Sequence, residues 1–120
     1  MGSALWIAIS GLNASSKQMD VIGNNIANAN TMGFKAGKAY FANVLSQSLS
    51  GGASGVMQIG QGVTVADVAT QFSQGSLEST TSALDLAIDG GGFFIVRDDE
   101  GSQYYTRAGA FHIDGDGFLV

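Results

Sequence analysis

Apolar residues recur at a seven-residue interval near the N-terminus. Leu5, Leu12, Met19 and Ile26 are each followed, three residues later, by Ala8, Ser15, Ile22 and Ala29. This pattern places a stripe of apolar residues on one side of a helix, as in a coiled coil. The sequence therefore predicts a helix that packs against other helices through Leu5, Leu12, Met19, Ile22 and Ile26. The same spacing also fits an amphipathic helix docked on its own domain.

Asparagine is concentrated at the end of this helix, at Asn24, Asn25, Asn28 and Asn30. Asparagine is a poor helix former because its short amide competes for backbone groups. The same amide can donate and accept hydrogen bonds at once, which suits a helix with polar neighbours. Gly33 can adopt the left-handed conformation that ends a helix, with Phe34 folding back onto it. We therefore place the end of the helical segment at residue 33.

The middle of the chain has a different pattern of apolar and polar residues. Residues 39–49 fit a short helix or turn, with Tyr40, Phe41, Val44 and Leu45 directed inward. Farther along, apolar and polar residues alternate around Gly60 and Gly62, with apolar side chains at Val63, Val65, Val68 and Phe72. That alternation predicts one or two extended strands. We describe residues 34–75 as an extended linker region.

The last third contains short apolar runs separated by turns rich in Asp and Gly. The runs cover residues 84–88, 93–97, 103–107, 111–113 and 118–120. Tight hairpins need positive φ at the turn, which Gly adopts freely and Asp tolerates. We predict a β meander in 76–120, with a core drawn from Leu86, Ile88, Phe94, Val96, Tyr105, Phe111, Ile113 and Phe118. The fold class is then α+β: a long coiled-coil-type helix, an extended region and a β-rich part.

Three segments of the chain resemble one family. GNNIANANTMGFK is similar to the N-terminal signature of the bacterial flagellar rod and hook family of axial proteins. LDLAIDGGGFF, from residue 84, and YTRAGAFHIDGDGFLV, from residue 105, resemble two further segments that the family carries in this order. The resemblance carries the family motif onto Gly23, Asn24, Asn25, Ile26, Ala27, Asn28, Thr31, Gly33, Phe34 and Lys35.

This resemblance implies a structural subunit that polymerises helically, with the helix of residues 1–33 in the inner wall and the β-rich part outside. Within the family we favour the hook, the tubular universal joint that transmits motor torque, over the distal rod. Implied partners are further copies of the chain, rod and junction proteins, and a hook cap. The resemblance also implies export through the flagellar type III apparatus to the cell exterior or basal body. A full member would continue and return with a C-terminal helix, so we expect an N-terminal portion.

Composition and charge narrow the classes of protein and partner to be considered. Charged residues make up only 12% of the chain, which is compatible with a surface covered by copies of itself. The net charge of −5 is divided into +2 for residues 1–66 and −7 for residues 67–120. The absence of a basic patch argues against nucleic acid, and no apolar run is long enough to insert into a membrane. A different class remains open, a secreted β-rich adhesin or binding module that folds as a soluble monomer.

Residues capable of chemistry do not form a recognisable site. His112 is the only histidine, and no second histidine, cysteine or triad partner accompanies it in the predicted strand, so we interpret it as an exposed strand residue. The absence of cysteine excludes a thiolate metal site. Asp114 and Asp116 have the spacing that opens a calcium loop, but the later ligands of such a loop do not follow, so we favour a hairpin turn. The glycine runs lack the Lys-Ser/Thr of a phosphate loop. We expect no catalytic, cofactor or metal site and no enzymatic activity.

Overall fold

A computed structural model describes residues 2–51 and 55–120 and has the α+β composition that the sequence predicts. Helix α1 spans Gly2–Ala27. Six strands follow within these described residues: β1 Gly37–Asn43, β2 Gln47–Gly51, β3 Gly55–Ile59, β4 Val63–Thr70, β5 Phe94–Arg97 and β6 Gln103–Thr106. They form three antiparallel two-stranded sheets, β1 with β4, β2 with β3, and β5 with β6. Because β2 and β3 lie in the connection between β1 and β4, we call that pair the β1–β4 hairpin.

Helix α1 ends earlier than residue 33. Its last helical residue is Ala27, and a turn follows in which the Thr31 amide donates to the Asn28 carbonyl at 3.0 Å. The Thr31 hydroxyl also bonds the Asn28 side-chain oxygen at 3.1 Å. Such local side-chain bonds compete with helical ones, which explains why the asparagine-rich segment leaves the helix. Gly33 does adopt positive φ, at 71°, but outside the helix.

The pairing of β1 with β4 contains a bulge. Tyr40 pairs with Asp67 and Phe41 pairs with Val65, so Ala66 has no partner across the ladder. A bulge of this kind shifts the alternation of side chains by one residue. It explains why the apolar positions run Val63, Val65 and then Val68, a break in period two that was visible in the sequence.

One expectation for the middle of the chain was wrong. Residues 39–49 contain strand residues and no helix, because Tyr40 and Phe41 pair along β4 and aromatic residues suit a pleated ladder. Of the side chains expected to point inward, Tyr40, Phe41 and Val44 are 39–44% exposed and Leu45 is 89% exposed. Residues 34–75, described above as an extended linker region, hold the four strands β1 to β4.

The chain divides into two compact units whose boundaries differ from the expected 1–33, 34–75 and 76–120. The first unit joins α1 to Ala36–Gln71, and the second joins Asn28–Lys35 to Phe72–Val120. In the first unit, α1 packs on β1 and β4. The long sequence separation between the helix and β4 explains why local patterns did not predict this association.

The second unit is an irregular β structure. Only β5 and β6 form a regular hairpin there, with Ile95 opposite Tyr105. The other runs contribute isolated bridges, Asp85 with Ala110 and Ile113 with Leu119. Half of the predicted core was placed wrongly, because these runs lack a second layer to cover both faces. Four side chains are half-buried and four are exposed: Ile88, Phe94, Val96 and Phe111 in the first group, Leu86, Tyr105, Ile113 and Phe118 in the second.

Gly109 lies at the tightest backbone approach in the second unit. It is buried, and its carbonyl accepts a hydrogen bond from the Leu86 amide at 2.8 Å. A Cβ at this position would overlap the Leu86 carbonyl oxygen and come within 3.1 Å of the Phe94 ring. The absence of a side chain is therefore what lets these two segments bond.

We predict that Gly109→Ala destabilises the second unit by about 1–3 kcal/mol, the usual range for forcing extra atoms into a packed site. The measurement is the urea midpoint, together with amide exchange at Leu86. Gly115→Ala is the matched control because a Cβ there meets nothing within 4 Å. Equal midpoints for the two variants would contradict the assigned backbone contact.

Candidate functional site

Helix α1 presents two chemically different faces. The face on the β1–β4 hairpin carries four small or polar residues, Ser10, Gly11, Ala14 and Asn25, and two larger apolar ones, Ile7 and Val21. All six are half-buried or buried. Ala14, 6% exposed, is the only buried hydrophobic side chain among the described residues. Small side chains allow close backbone approach, but they remove little apolar surface from water. The packing of α1 therefore depends to an unusual degree on hydrogen bonds.

One of these bonds lies in the N-terminal half of α1. The Ser10 hydroxyl donates to the Ile7 carbonyl at 2.7 Å and accepts from the Val63 amide at 3.2 Å. Gly62, at φ 106°, precedes this contact, and a Cβ there would overlap the Ser10 hydroxyl. The Ser10 side chain thus joins the helix to the start of β4.

A second bond lies near the end of α1. The Asn25 amide nitrogen donates to the Gly37 carbonyl at 2.8 Å, and the Gly37 amide donates to the Asn25 oxygen at 2.9 Å. The Ala36 carbonyl accepts from Gln71, and antiparallel partners alternate between bonded and non-bonded pairs. Gly37 therefore directs its polar groups to the open edge of β1, where Asn25 takes the place of a neighbouring strand.

The predicted packing residues lie on the other face and are exposed. Leu5, Leu12, Met19 and Ile26 are 64–73% exposed, and Ile22 is 42% exposed. At 100° per residue, the centre of this stripe lies about 120° around the helix from the face on the hairpin. We call Leu5, Leu12, Met19, Ile22 and Ile26 the apolar seam. Within the described part of the chain, nothing covers it.

The motif of residues 23–35 contributes to both units. Its helical part ends with Asn25 on Gly37 and Ile26 in the apolar seam, while Asn28–Lys35 belongs to the second unit. There a Cβ on Gly33 would overlap the backbone of Arg107, and the Lys35 ammonium donates to the Ser73 carbonyl at 2.8 Å. Glycine is thus required at residue 33 for a close approach as well as for its positive φ.

Arg107 organises a glycine-rich loop in the second unit. Its guanidinium donates to the carbonyls of Gly92 at 2.5 Å and Gly90 at 2.6 Å, and to the Gln74 side-chain oxygen at 3.0 Å. Gln74 in turn donates to the Ile88 carbonyl at 3.3 Å. The planar guanidinium has several donors in a fixed arrangement, which suits this loop. Arg107 and Gln74 also line an open cleft of about 760 Å³.

The residues considered for chemistry have structural roles or remain apart. The Asp114 carboxylate accepts from the amides of Asp116 and Phe118 at 3.0 and 2.8 Å, the arrangement of an Asp-capped turn. This confirms the hairpin-turn interpretation. No group of three metal-ligating side chains occurs among the described residues. In the described part of the chain, no helix is long and apolar enough to cross a membrane.

Comparison with protein families links both units to one assembly. Residues 5–35 match the family described as flagella basal body rod protein, and residues 87–120 match the flagellar hook protein FlgE/F/G D1 domain. This chain belongs to the flagellar rod and hook family. The first match covers the apolar seam and the Asn25 contact, and the second covers the loop held by Arg107.

Individual relatives support the same family. The chain is 44% identical to the flagellar hook protein FlgE of Borreliella burgdorferi, over 100% of the chain and 29% of that relative. It is 43% identical to FlgE of Escherichia coli K12, over 94% of the chain and 26% of the relative. The flagellar basal-body rod protein FlgG of Bacillus subtilis is 42% identical, over 98% of the chain and 47% of the relative. The chain thus spans less than half the length of each of these relatives.

Sequence reasoning missed Ser10, Gln74 and Arg107. Each of them contacts a residue that is distant in the sequence: 53 positions away for Ser10, 16 for Gln74 and 15 for Arg107. No local sequence pattern contains such contacts. The asparagine cluster did carry a signal, since four amides in a poor helix-forming context indicated polar partners. The structure assigns such a partner to Asn25.

We predict that Arg107→Lys loosens the loop of residues 89–92. A lysine keeps the charge but cannot reproduce the forked contacts to Gly90, Gly92 and Gln74, so amide exchange at Gly90 should accelerate about five- to tenfold. The expected loss of stability is about 1 kcal/mol. Arg97→Lys is the control, because the Arg97 side chain is exposed and makes no hydrogen bond with any residue that the structure describes. Unchanged exchange in Arg107→Lys would show that the loop is held by its backbone alone.

Proposed function

We propose that this chain is part of a flagellar hook subunit that polymerises helically into a tube and transmits torque mechanically, without enzymatic activity. Its partners are further copies of itself, the adjoining rod and junction proteins and a hook cap. It reaches the flagellum without a cleaved signal peptide. Family membership and the names of the hook relatives support this assignment.

The single observation that carries the mechanical part of the proposal is the exposed apolar seam. Helix α1 docks on its own hairpin with one face and leaves Leu12 73% exposed and Met19 70% exposed on another. A leucine that becomes fully buried contributes about 1.5–3 kcal/mol. Burial of the apolar seam against a partner therefore provides stabilisation that the single chain does not obtain. A helical polymer offers repeated partners, because a heterologous contact that does not close generates a filament.

The occupant of the apolar seam is another copy of the subunit in this proposal. The seam has the seven-residue spacing of helix-to-helix packing and carries no charged residue. The small side chains of Ala8 and Ser15 lie among the larger ones, so a second helix can approach closely. This proposal includes the coiled-coil character expected from the sequence.

A distal rod subunit is the alternative. The observation in its favour is the 42% identity to the rod protein of Bacillus subtilis, nearly equal to that of the hook relatives. Expression of the full-length protein in strains that lack either the hook subunit or the distal rod subunit discriminates between them. Restored hooks in the first strain alone support the hook, and restoration in the second alone supports the rod.

Thiol labelling tests the apolar seam directly, because the chain contains no cysteine. Ser15→Cys places a thiol within the seam, and Asp20→Cys places one off it, at a side chain that is 70% exposed. Both thiols should react with a maleimide in monomers. In assembled full-length subunits, Ser15→Cys should react at least tenfold more slowly than Asp20→Cys. Equal rates in the assembly would contradict packing through the seam.

We predict that Leu12→Glu prevents assembly while leaving the monomer folded. Leu12 is mostly exposed in the single chain, so monomer stability should change by less than about 0.5 kcal/mol. In the polymer a buried unpaired carboxylate is costly, and the critical concentration should rise at least about tenfold. Sedimentation and electron microscopy measure the effect. Asn13→Glu introduces the same charge at the adjacent, off-seam residue, and its assembly should match wild type.

A further inference from the structure

The two hydrogen-bonded contacts of α1 lie far apart along one face. Ser10 and Asn25 are separated by 15 residues, or about 22 Å along a helix. Between them, the face on the hairpin is formed by Gly11, Ala14 and Val21. Small apolar groups hold a helix near a sheet, but hydrophobic contact is non-directional and tolerates rotation. Hydrogen bonds weaken steeply with angle, so contacts at both ends resist rotation of the helix.

We propose that Ser10 and Asn25 are positioning residues that fix the rotation of α1 about its axis, and thereby select the face offered to other copies of the subunit. This inference rests on the function proposed above. With both bonds in place, the apolar seam is held about 120° away from the hairpin. Without them, α1 can turn its larger apolar residues toward β1 and β4, since those strands offer only partly buried side chains.

The geometry at Asn25 explains why asparagine is suited to this role. Its amide satisfies both polar groups of Gly37, the amide at 2.9 Å and the carbonyl at 2.8 Å. An aspartate of the same size could accept from the amide but would place a second oxygen against the carbonyl. A bare Cβ would leave the edge of β1 unpaired, an edge that other chains could then bind. The contact therefore orients α1 and covers the strand edge at the same point.

The first measurement uses the folded monomer of the full-length protein. Asn25→Ala and Asn25→Asp should accelerate amide exchange at Gly37 at least tenfold, and Ser10→Ala should do so at Val63. Helix content by circular dichroism should remain as in wild type. Asn13→Ala and Asn13→Asp are matched controls, because Asn13 is an exposed asparagine on the same helix. These substitutions reproduce the changes in helix propensity and charge without removing a hydrogen bond to the described residues of the hairpin.

The second measurement determines which face of α1 packs against other subunits in the assembly. Asn25→Ala is combined with Ser15→Cys or Asp20→Cys, and the labelled variants are mixed as a small fraction into wild-type subunits before assembly. We expect the tenfold protection of Ser15→Cys over Asp20→Cys to fall below about threefold, or incorporation to fall at least fivefold relative to Asn13→Ala. Faster exchange at Gly37 with unchanged incorporation and protection would overturn the inference. Absence of seam protection in the wild-type background would instead contradict the proposed function.

Discussion

The interaction on which the first unit depends is the docking of one long helix onto a two-stranded hairpin that is too small to bury it. A two-stranded sheet presents little apolar surface, and α1 meets it with Gly11 and Ala14 at the centre of the contact. The larger apolar residues remain exposed on the other side. Helix α1 is therefore held in place by its own chain while much of its apolar surface stays exposed, and in the polymer proposed above that surface is buried against further copies.

Part of this arrangement could be predicted from the sequence, and the particular residues show why. The helix, the strand at residues 63–70 and the turns at Asp114 and Gly117 follow from local spacing and from the conformations that Asp and Gly allow. The strand at residues 37–43 was missed because its apolar residues lie next to each other, at Tyr40 and Phe41. Their environment is set by a bulge in the pairing with β4, 25 or so residues away.

The seven-residue repeat fits two arrangements: a helix docked on its own domain, and a helix that packs against other helices. The structure contains the first kind of docking, but through different residues: Ile7, Ala14 and Val21 are themselves spaced by seven and lie against the hairpin. Two interleaved repeats therefore run along one helix. The repeat of Ile7, Ala14 and Val21 is also apolar, and only the repeat of Leu5, Leu12, Met19 and Ile26 was singled out from the sequence.

In the polymer proposed above, these two repeats meet two different physical requirements. Association needs a large free energy per contact, and apolar surface provides it without strong constraints on angle. A regular helical array also needs every subunit to present that surface in the same direction, and this requires directional contacts. In α1 the directional contacts are Ser10 on Val63 and Asn25 on Gly37, both within one chain. Because both contacts form within one chain, the direction of the apolar seam is set before assembly. Assembly of the proposed polymer then needs only to bury the apolar seam.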